Sequence, residues 1–215
     1  MKGLFITFEG PDGSGKTTQL KLLADYLIKA GYEVITTREP GGTIIGNQIR
    51  EILLNPNHKE LMDQTEILLY AASRAQLVHE TILPNLEKGK IILSDRYIDA
   101  SIAYQAYGLM IERNIVEQIN SFASSNLIPD RTYLMKISPE IGQKRLKSRY
   151  NRINGLGLDR IEQKNLDYHY RVLEGFSILA KENPNRILTL EATDSIDSIF
   201  DIIKQDIKFL IRKEG

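Results

Sequence analysis

Eight consecutive residues carry the densest chemistry in the chain. Gly10-Pro11-Asp12-Gly13-Ser14-Gly15-Lys16-Thr17 fits G-x-x-x-x-G-K-[ST] at every fixed position. Glycines let a backbone turn so that successive N–H groups point inward around a phosphate. The N-terminus of a following helix adds partial positive charge. Lys16 can then reach terminal phosphates, and Thr17 can offer its hydroxyl to Mg²⁺. A glycine turn with no ligand has no need of Lys followed by Thr. A second segment, Lys90–Asp95 (KIILSD), is an apolar run closed by an acid. An acid at the carboxyl end of a buried strand can hold Mg²⁺ through water, which gives Asp95 a metal role and Arg96 a place beside it. Taken alone, Asp95-Arg96 also reads as a strand-end ion pair or a helix cap.

The elements that must position these residues alternate along the chain. Strand-like runs cover Leu4–Phe8, Glu33–Thr37, Lys90–Ser94, Arg131–Ile137 and Arg186–Leu190. Between them, helical spacing covers Lys16–Ala30 (with Gly31 as C-cap), Gly46–Leu54, Leu61–Glu87 with Pro84 bending or ending a turn, Ile98–Tyr107, Ile111–Ala123, Asp159–Glu182 and Asp194–Lys213. Ser138-Pro139-Glu140 opens a further helix, with Ser as N-cap. Five short buried-type strands separated by helices predict an α/β fold, a five-stranded parallel sheet with helices on both faces. No linker or repeat divides the 215 residues, so a single domain is expected.

Composition narrows the function. Lys plus Arg and Asp plus Glu are both 28, so a generally basic nucleic-acid coat is excluded. Cysteine is absent, which removes disulfides, thiolate zinc sites and thiol nucleophiles. The first apolar run ends at Glu9, too early for a signal-peptide core, and no window has the ~18 uncharged apolar residues of a membrane span. A cytoplasmic protein is expected. One local imbalance stands out: residues 141–160 hold Lys144, Arg145, Lys147, Arg149, Arg152 and Arg160 against Asp159 alone. This is either a solvated helix end or a cationic flap over an anionic ligand. There is no N-K-x-D of a guanine-specific GTPase, no H-R-D or D-F-G of a protein kinase and no H-E-x-x-H; Ser14 is not in G-x-S-x-G.

Four further segments complete the pattern: Thr37-Arg38-Glu39-Pro40-Gly41-Gly42-Thr43, Tyr70-x-x-x-Arg74, Asp95-Arg96-Tyr97 and Ser101-x-x-Tyr104-Gln105. With Glu9-Gly10-Pro11-Asp12 they resemble the thymidylate kinase family closely, almost throughout the chain. The resemblance implies a P-loop fold of the nucleoside monophosphate kinase type. The loop residues Gly10 to Thr17, with Thr18, would bind ATP, and Thr17 and Asp95 would hold Mg²⁺. Tyr70 matches the aromatic that stacks on thymine, and Arg74, one helical turn on, the arginine that bonds the base. Gln105 matches a residue at the base edge, Ser101 lies beside the base, and Tyr104 lies under the deoxyribose, where it crowds a 2′-hydroxyl. Asp12 sits near the 3′-hydroxyl and acceptor phosphate. Arg50 and Arg96 bind phosphate, and Glu39 and Pro40 shape the pocket. Alone, Tyr70 would read as core and Arg74 as helix surface.

In one branch of that family the phosphate loop carries an arginine. This chain has Gly13 there, like the branch whose catalytic arginine is in the lid. Arg149 and then Arg152, in a lid of about residues 147–160, are the candidates, so that Asp12, Lys16, Arg96 and Arg149 form the implied catalytic set. Arg145 is a candidate for stacking on adenine. The resemblance also implies a homodimer built through helices, with 61–83 and 111–123 offering apolar faces.

The implied reaction moves a phosphoryl group from ATP to dTMP, giving dTDP and ADP on the route to dTTP. The acceptor is itself a phosphate with a second pKa of about 6, so it needs no strong general base. The protein must bring two anions into line and offset charge in a loose transition state. Rival readings are a kinase for another nucleoside or nucleotide, and an ATP-dependent switch module, which would show a slow ATPase stimulated by a macromolecule.

Overall fold

A computed structural model describes residues 3–152 and 157–214 of the chain. Its first strand, β1 (Leu4–Glu9), buries all six side chains, as a strand covered on both faces requires. Its alternation splits the core: Leu4, Ile6 and Phe8 face one apolar cluster and Phe5 another. The other strands are β2 (Val34–Arg38), β3 (Ile91–Asp95), β4 (Arg131–Lys136) and β5 (Ile187–Glu191). They form one sheet in the order β2-β3-β1-β4-β5, and every pairing is parallel. The expected five-stranded α/β architecture is what the chain adopts.

Nine α-helices are described: α1 (Lys16–Lys29), α2 (Ile44–Leu54), α3 (Asp63–Leu77), α4 (Leu83–Glu87), α5 (Ile98–Ser101), α6 (Arg113–Ser124), α7 (Pro139–Arg152), α8 (Leu166–Glu182) and α9 (Ile196–Glu214). On one face of the sheet, Leu20, Leu23 and Leu27 of α1 pack with Ile199, Ile203 and Ile207 of α9. On the other, Val172 and Phe176 of α8 pack against Ile102–Gly108. Register matters for function. Phe8 of β1 lies opposite Asp95 of β3, so the phosphate loop and Asp95-Arg96 leave the sheet at the same level. That level is the carboxyl edge, where open α/β sheets bind ligands.

Several boundaries differ from the sequence pattern. Helix α2 begins at Ile44 rather than Gly46, because the Thr43 hydroxyl accepts from Gly46 N at 2.9 Å and caps the turn. The stretch Leu61–Glu87 is not one helix. A π-helical turn, Val78–Ile82, separates α3 from α4, just before Pro84, which has no N–H to continue the ladder. Ile98–Tyr107 likewise passes from α5 into a π-helical segment, Ile102–Gly108. Asp159–Glu182 becomes helical only at Leu166. Asp159 Oδ1 accepts from Ile161 N at 2.9 Å and Glu162 N at 2.8 Å, which holds a turn there, and Asn165 caps α8. Of the expected lid, residues 153–156 and the Arg152 side chain lie outside the described residues.

Candidate active site

The phosphate loop is built by glycines in left-handed conformations, Gly10 at φ 130°, Gly13 at 78° and Gly15 at 94°. Helix α1 starts after Gly15 with no side-chain cap, which leaves first-turn N–H groups free to meet an anion. Lys16 Nζ folds back onto its own loop, donating to Gly10 O at 3.0 Å and Pro11 O at 2.8 Å. Burial, then the Arg96 guanidinium, lowers the lysine pKa to about 8, against the pull of Asp12, Asp95 and Glu9. The Thr17 hydroxyl donates to Asp95 Oδ2 at 2.5 Å, so the two metal candidates, from α1 and β3, meet. The loop tolerates no side chain at Gly13: a Cβ there would lie 2.6 Å from Gly142 O of α7.

Arg96 leaves β3 with φ 76°, rare for a residue with a Cβ. Its N–H is held by Phe8 O at 2.9 Å and its carbonyl by the Ser94 hydroxyl at 2.7 Å. The guanidinium is thereby turned back over the phosphate loop. Nη1 donates to Gly10 O at 3.0 Å; Nη2 donates to Asp12 Oδ1 at 2.6 Å and to the Tyr104 hydroxyl at 3.0 Å. Burial disfavours charge on Asp12, but Arg96 and Lys16 outweigh it and hold its pKa well below the usual carboxylate range.

Beside this cluster lies a cleft open to solvent. Asp12, Glu39, Pro40, Arg50, Tyr70, Arg74, Arg96, Ser101, Tyr104 and Gln105 all line it, so the whole acceptor-side set from the sequence converges on one cleft. Arg50 donates from Nη1 to Pro40 O at 2.9 Å; burial and then Arg38 lower its pKa. Arg74 is no surface arginine, being 1% exposed. Its Nε donates to Glu39 at 2.8 Å, Nη1 to the Ser101 hydroxyl at 2.9 Å and to Asn120, and Nη2 to Glu39 and to Tyr97 O. All five of its N–H groups are thus committed to protein acceptors. A base that hydrogen-bonds Arg74 must take a donor over from one of them. Burial raises the pKa of Glu39, and Arg74 opposes the rise.

The adenine-stacking and lid candidates stand apart. Arg145 donates to Ala192 O at 2.9 Å and Gly13 O at 3.4 Å, which sets it against the outside of the phosphate loop. Arg149 is exposed, 3.6 Å from Glu162 and stacked over Tyr150; the structure does not bring it to Lys16 or Arg96. Other residues join the site without a role foreseen for them. Glu9 is fully buried, and its Oε1 accepts from Tyr97 N at 2.7 Å and Ala100 N at 3.3 Å, holding the start of α5. Burial, reinforced by Asp99, pushes its pKa up to about 8. An acid ending a largely apolar strand was the signal. Asp159 and Ile161 line the cleft as well, and burial, then Glu162, raises Asp159 to about 6. Its signal was being the lone acid in a basic stretch.

A phosphate loop lies on one side and an arginine-lined cleft on the other, with Arg96 reaching from the cleft to Gly10 O of the loop. That is the layout of a P-loop nucleoside monophosphate kinase. The family model described as thymidylate kinase matches residues 8–203. A thymidylate kinase from Exiguobacterium sibiricum is 51% identical over 213 residues, covering 99% of this chain and 98% of the relative. One from Thermoanaerobacter is 44% identical over 211 residues, covering 95% and 99%. The crystal structure of thymidylate kinase from Ehrlichia chaffeensis superposes with a TM-score of 0.78 at 32% identity, covering 97% of this chain and 99% of that one. The chain belongs to the thymidylate kinase family.

Proposed function

We propose that the chain transfers the terminal phosphoryl group of ATP to dTMP, giving ADP and dTDP. Near-full-length similarity to thymidylate kinases supports the reaction. The observation that carries it in the molecule is the Asp12–Arg96–Tyr104 cluster, which joins the phosphate loop to the aromatic cleft. The loop N–H groups and Lys16 bind the ATP phosphates. Tyr70 stacks on the base, with Arg74, Ser101 and Gln105 around its edge. Arg50 and Arg96 hold the acceptor phosphate, and Asp12 orients it through Arg96. Tyr104 packs under the sugar. No residue need act as a base, because the attacking oxygen already carries charge. The cationic groups instead offset charge as the two phosphates approach in line.

Thr17 and Asp95 fit a hard cation, since a hydroxyl and a carboxylate oxygen converge there. Mg²⁺ held by them would supply charge neutralisation on the ATP phosphates. Arg149 serves as the lid arginine on closure, and the whole chain works as one domain. A homodimer through α3 and α6 is supported by their mutual packing and by the apolar side chains Leu68, Ile115 and Phe122 that they leave exposed. No described helix is long and apolar enough to cross a membrane, which agrees with a cytoplasmic location.

The test is ADP release with Mg·ATP and a panel of dTMP, dUMP, UMP, dCMP, AMP, GMP and thymidine, with a no-acceptor control. Strong preference for dTMP is the expected result. Preference for another acceptor discards the base-reading roles, and no acceptor dependence discards the kinase.

A further inference from the structure

Glu66 of α3 lies outside the set of residues the sequence pointed to. It precedes Tyr70 and Arg74 by one and two helical turns on the same face of the helix. It is fully buried, and both carboxylate oxygens are engaged. Oε2 takes Arg160 Nη2 at 2.6 Å; Arg160 is itself anchored through Nε to Leu53 O at 2.8 Å. Oε1 accepts from Gln105 Nε2 at 3.2 Å. Gln105 lines the cleft, and among the described residues no hydrogen bond reaches its Oε1.

The chemistry of this contact sets a direction. A carboxylate paired with a guanidinium only accepts, so the Gln105 amide must turn its NH₂ toward Glu66. Its carbonyl is then the acceptor left for a ligand. A carbonyl acceptor suits a pyrimidine whose ring N3 carries hydrogen, as in thymine. Cytosine presents a lone pair at N3, and two acceptors face to face repel.

We propose that Glu66 is a positioning residue for base specificity: it fixes the Gln105 amide with its carbonyl toward the base, selecting an N3–H pyrimidine against cytosine. The proposal rests on the reading of the cleft as the thymidylate site. Arg160 keeps the carboxylate in place from the other side.

The experiment compares kcat/KM for dTMP and dCMP in wild type, E66Q and R160K. The amide that replaces the carboxylate in E66Q can donate or accept, so Gln105 is free to flip. The dTMP/dCMP ratio is then expected to fall at least about tenfold, the loss of one oriented hydrogen bond. R160K keeps a cation beside the carboxylate and is expected to retain the wild-type ratio. A general loosening of the fold would lower activity on both substrates and move the two variants alike; that outcome, or an unchanged ratio in folded E66Q, overturns the proposal. Where E66Q alone does not fold, E66Q/R160M removes the ion pair as a unit and reads the same ratio. A wild type that does not favour dTMP over dCMP takes down the thymidylate reading itself, and this proposal with it.

Discussion

Tyr104 and Asp12, 92 residues apart in the chain, are joined by a 2.9 Å hydrogen bond from the tyrosine hydroxyl to Oδ2. The bond ties the π-helical segment Ile102–Gly108 to the phosphate loop, and Arg96 bridges the same two side chains. Two substitutions separate what Tyr104 does. Tyr104→Phe keeps the ring but removes the donor to Asp12 Oδ2, leaving Arg96 on Oδ1. A hydrogen bond to a charged group contributes about 1.5–3 kcal/mol, so kcat/KM for dTMP falls roughly tenfold or more. The ratio of dTMP to its ribonucleotide stays near wild type. Tyr104→Ala opens space under the sugar, and that ratio falls. Steady-state kinetics on both acceptors checks the pair; an unchanged ratio in the alanine variant removes the steric role.

In the proposed reaction, Arg96 and Lys16 carry the charge that offsets the two approaching phosphates. Lys16→Ala and Arg96→Ala are each expected to lower kcat about 10²–10³-fold, the range seen when one preorganised charge or donor at a developing anion is lost. Arg96→Ala also frees Asp12 from its ion pair, so dTMP affinity falls as well. Turnover near wild type in a variant that melts normally would strip that residue of its catalytic role.

The lowered pKa of Lys16, about 8, sets a pH dependence. The charged form binds phosphate, and bound phosphates favour that form in return. Binding of ATP above pH 8 therefore takes up a proton, and ATP affinity declines as pH rises from about 8 toward the higher pKa of the complex. Calorimetric titration at pH 8.5 in two buffers of different ionisation enthalpy measures the proton uptake. Wild type should show it and Lys16→Met should not. Equal apparent enthalpies in both buffers for the wild type would contradict the coupling.

The phosphate loop and its neighbours were legible because their chemistry is local: a run of eight residues dictates a turn, and apolar strands flank it. The acceptor cleft was reached through the family resemblance, since Tyr70, Arg74 and Tyr104 each look ordinary on a helix. What stayed hidden depends on distance along the chain. Nothing in the spacing around Glu66 tells that it is fully buried, because its partners Gln105 and Arg160 are 39 and 94 residues away. The π-helical turns escaped for a related reason: side-chain periodicity does not distinguish i→i+5 from i→i+4 bonding over one turn. The turn at Asp159 was lost to a helical pattern that resumes at Leu166, because an acid bonding the backbone ahead of it leaves no trace in hydropathy.

Gly142 connects α7 to the phosphate loop through contact alone. It sits in the first turns of α7, and a Cβ added there would meet Asp12 O at 2.7 Å. Its partner in the contact is Gly13, whose own Cβ would meet Gly142 O. On helix propensity alone, Gly142→Ala gains about 1 kcal/mol. The clash is with backbone oxygen, which cannot rotate away, so α7 or the phosphate loop must shift, at a typical overpacking cost of about 1–3 kcal/mol. The net effect on stability is therefore small, while the loop that cradles ATP is displaced. The expected signature is a KM for ATP raised several-fold and a lowered kcat, with the KM for dTMP little changed. Thermal melting and steady-state kinetics, varying each substrate in turn, measure all of these. Wild-type kinetics with a raised melting temperature would show that the helix yields freely and that the loop does not depend on it.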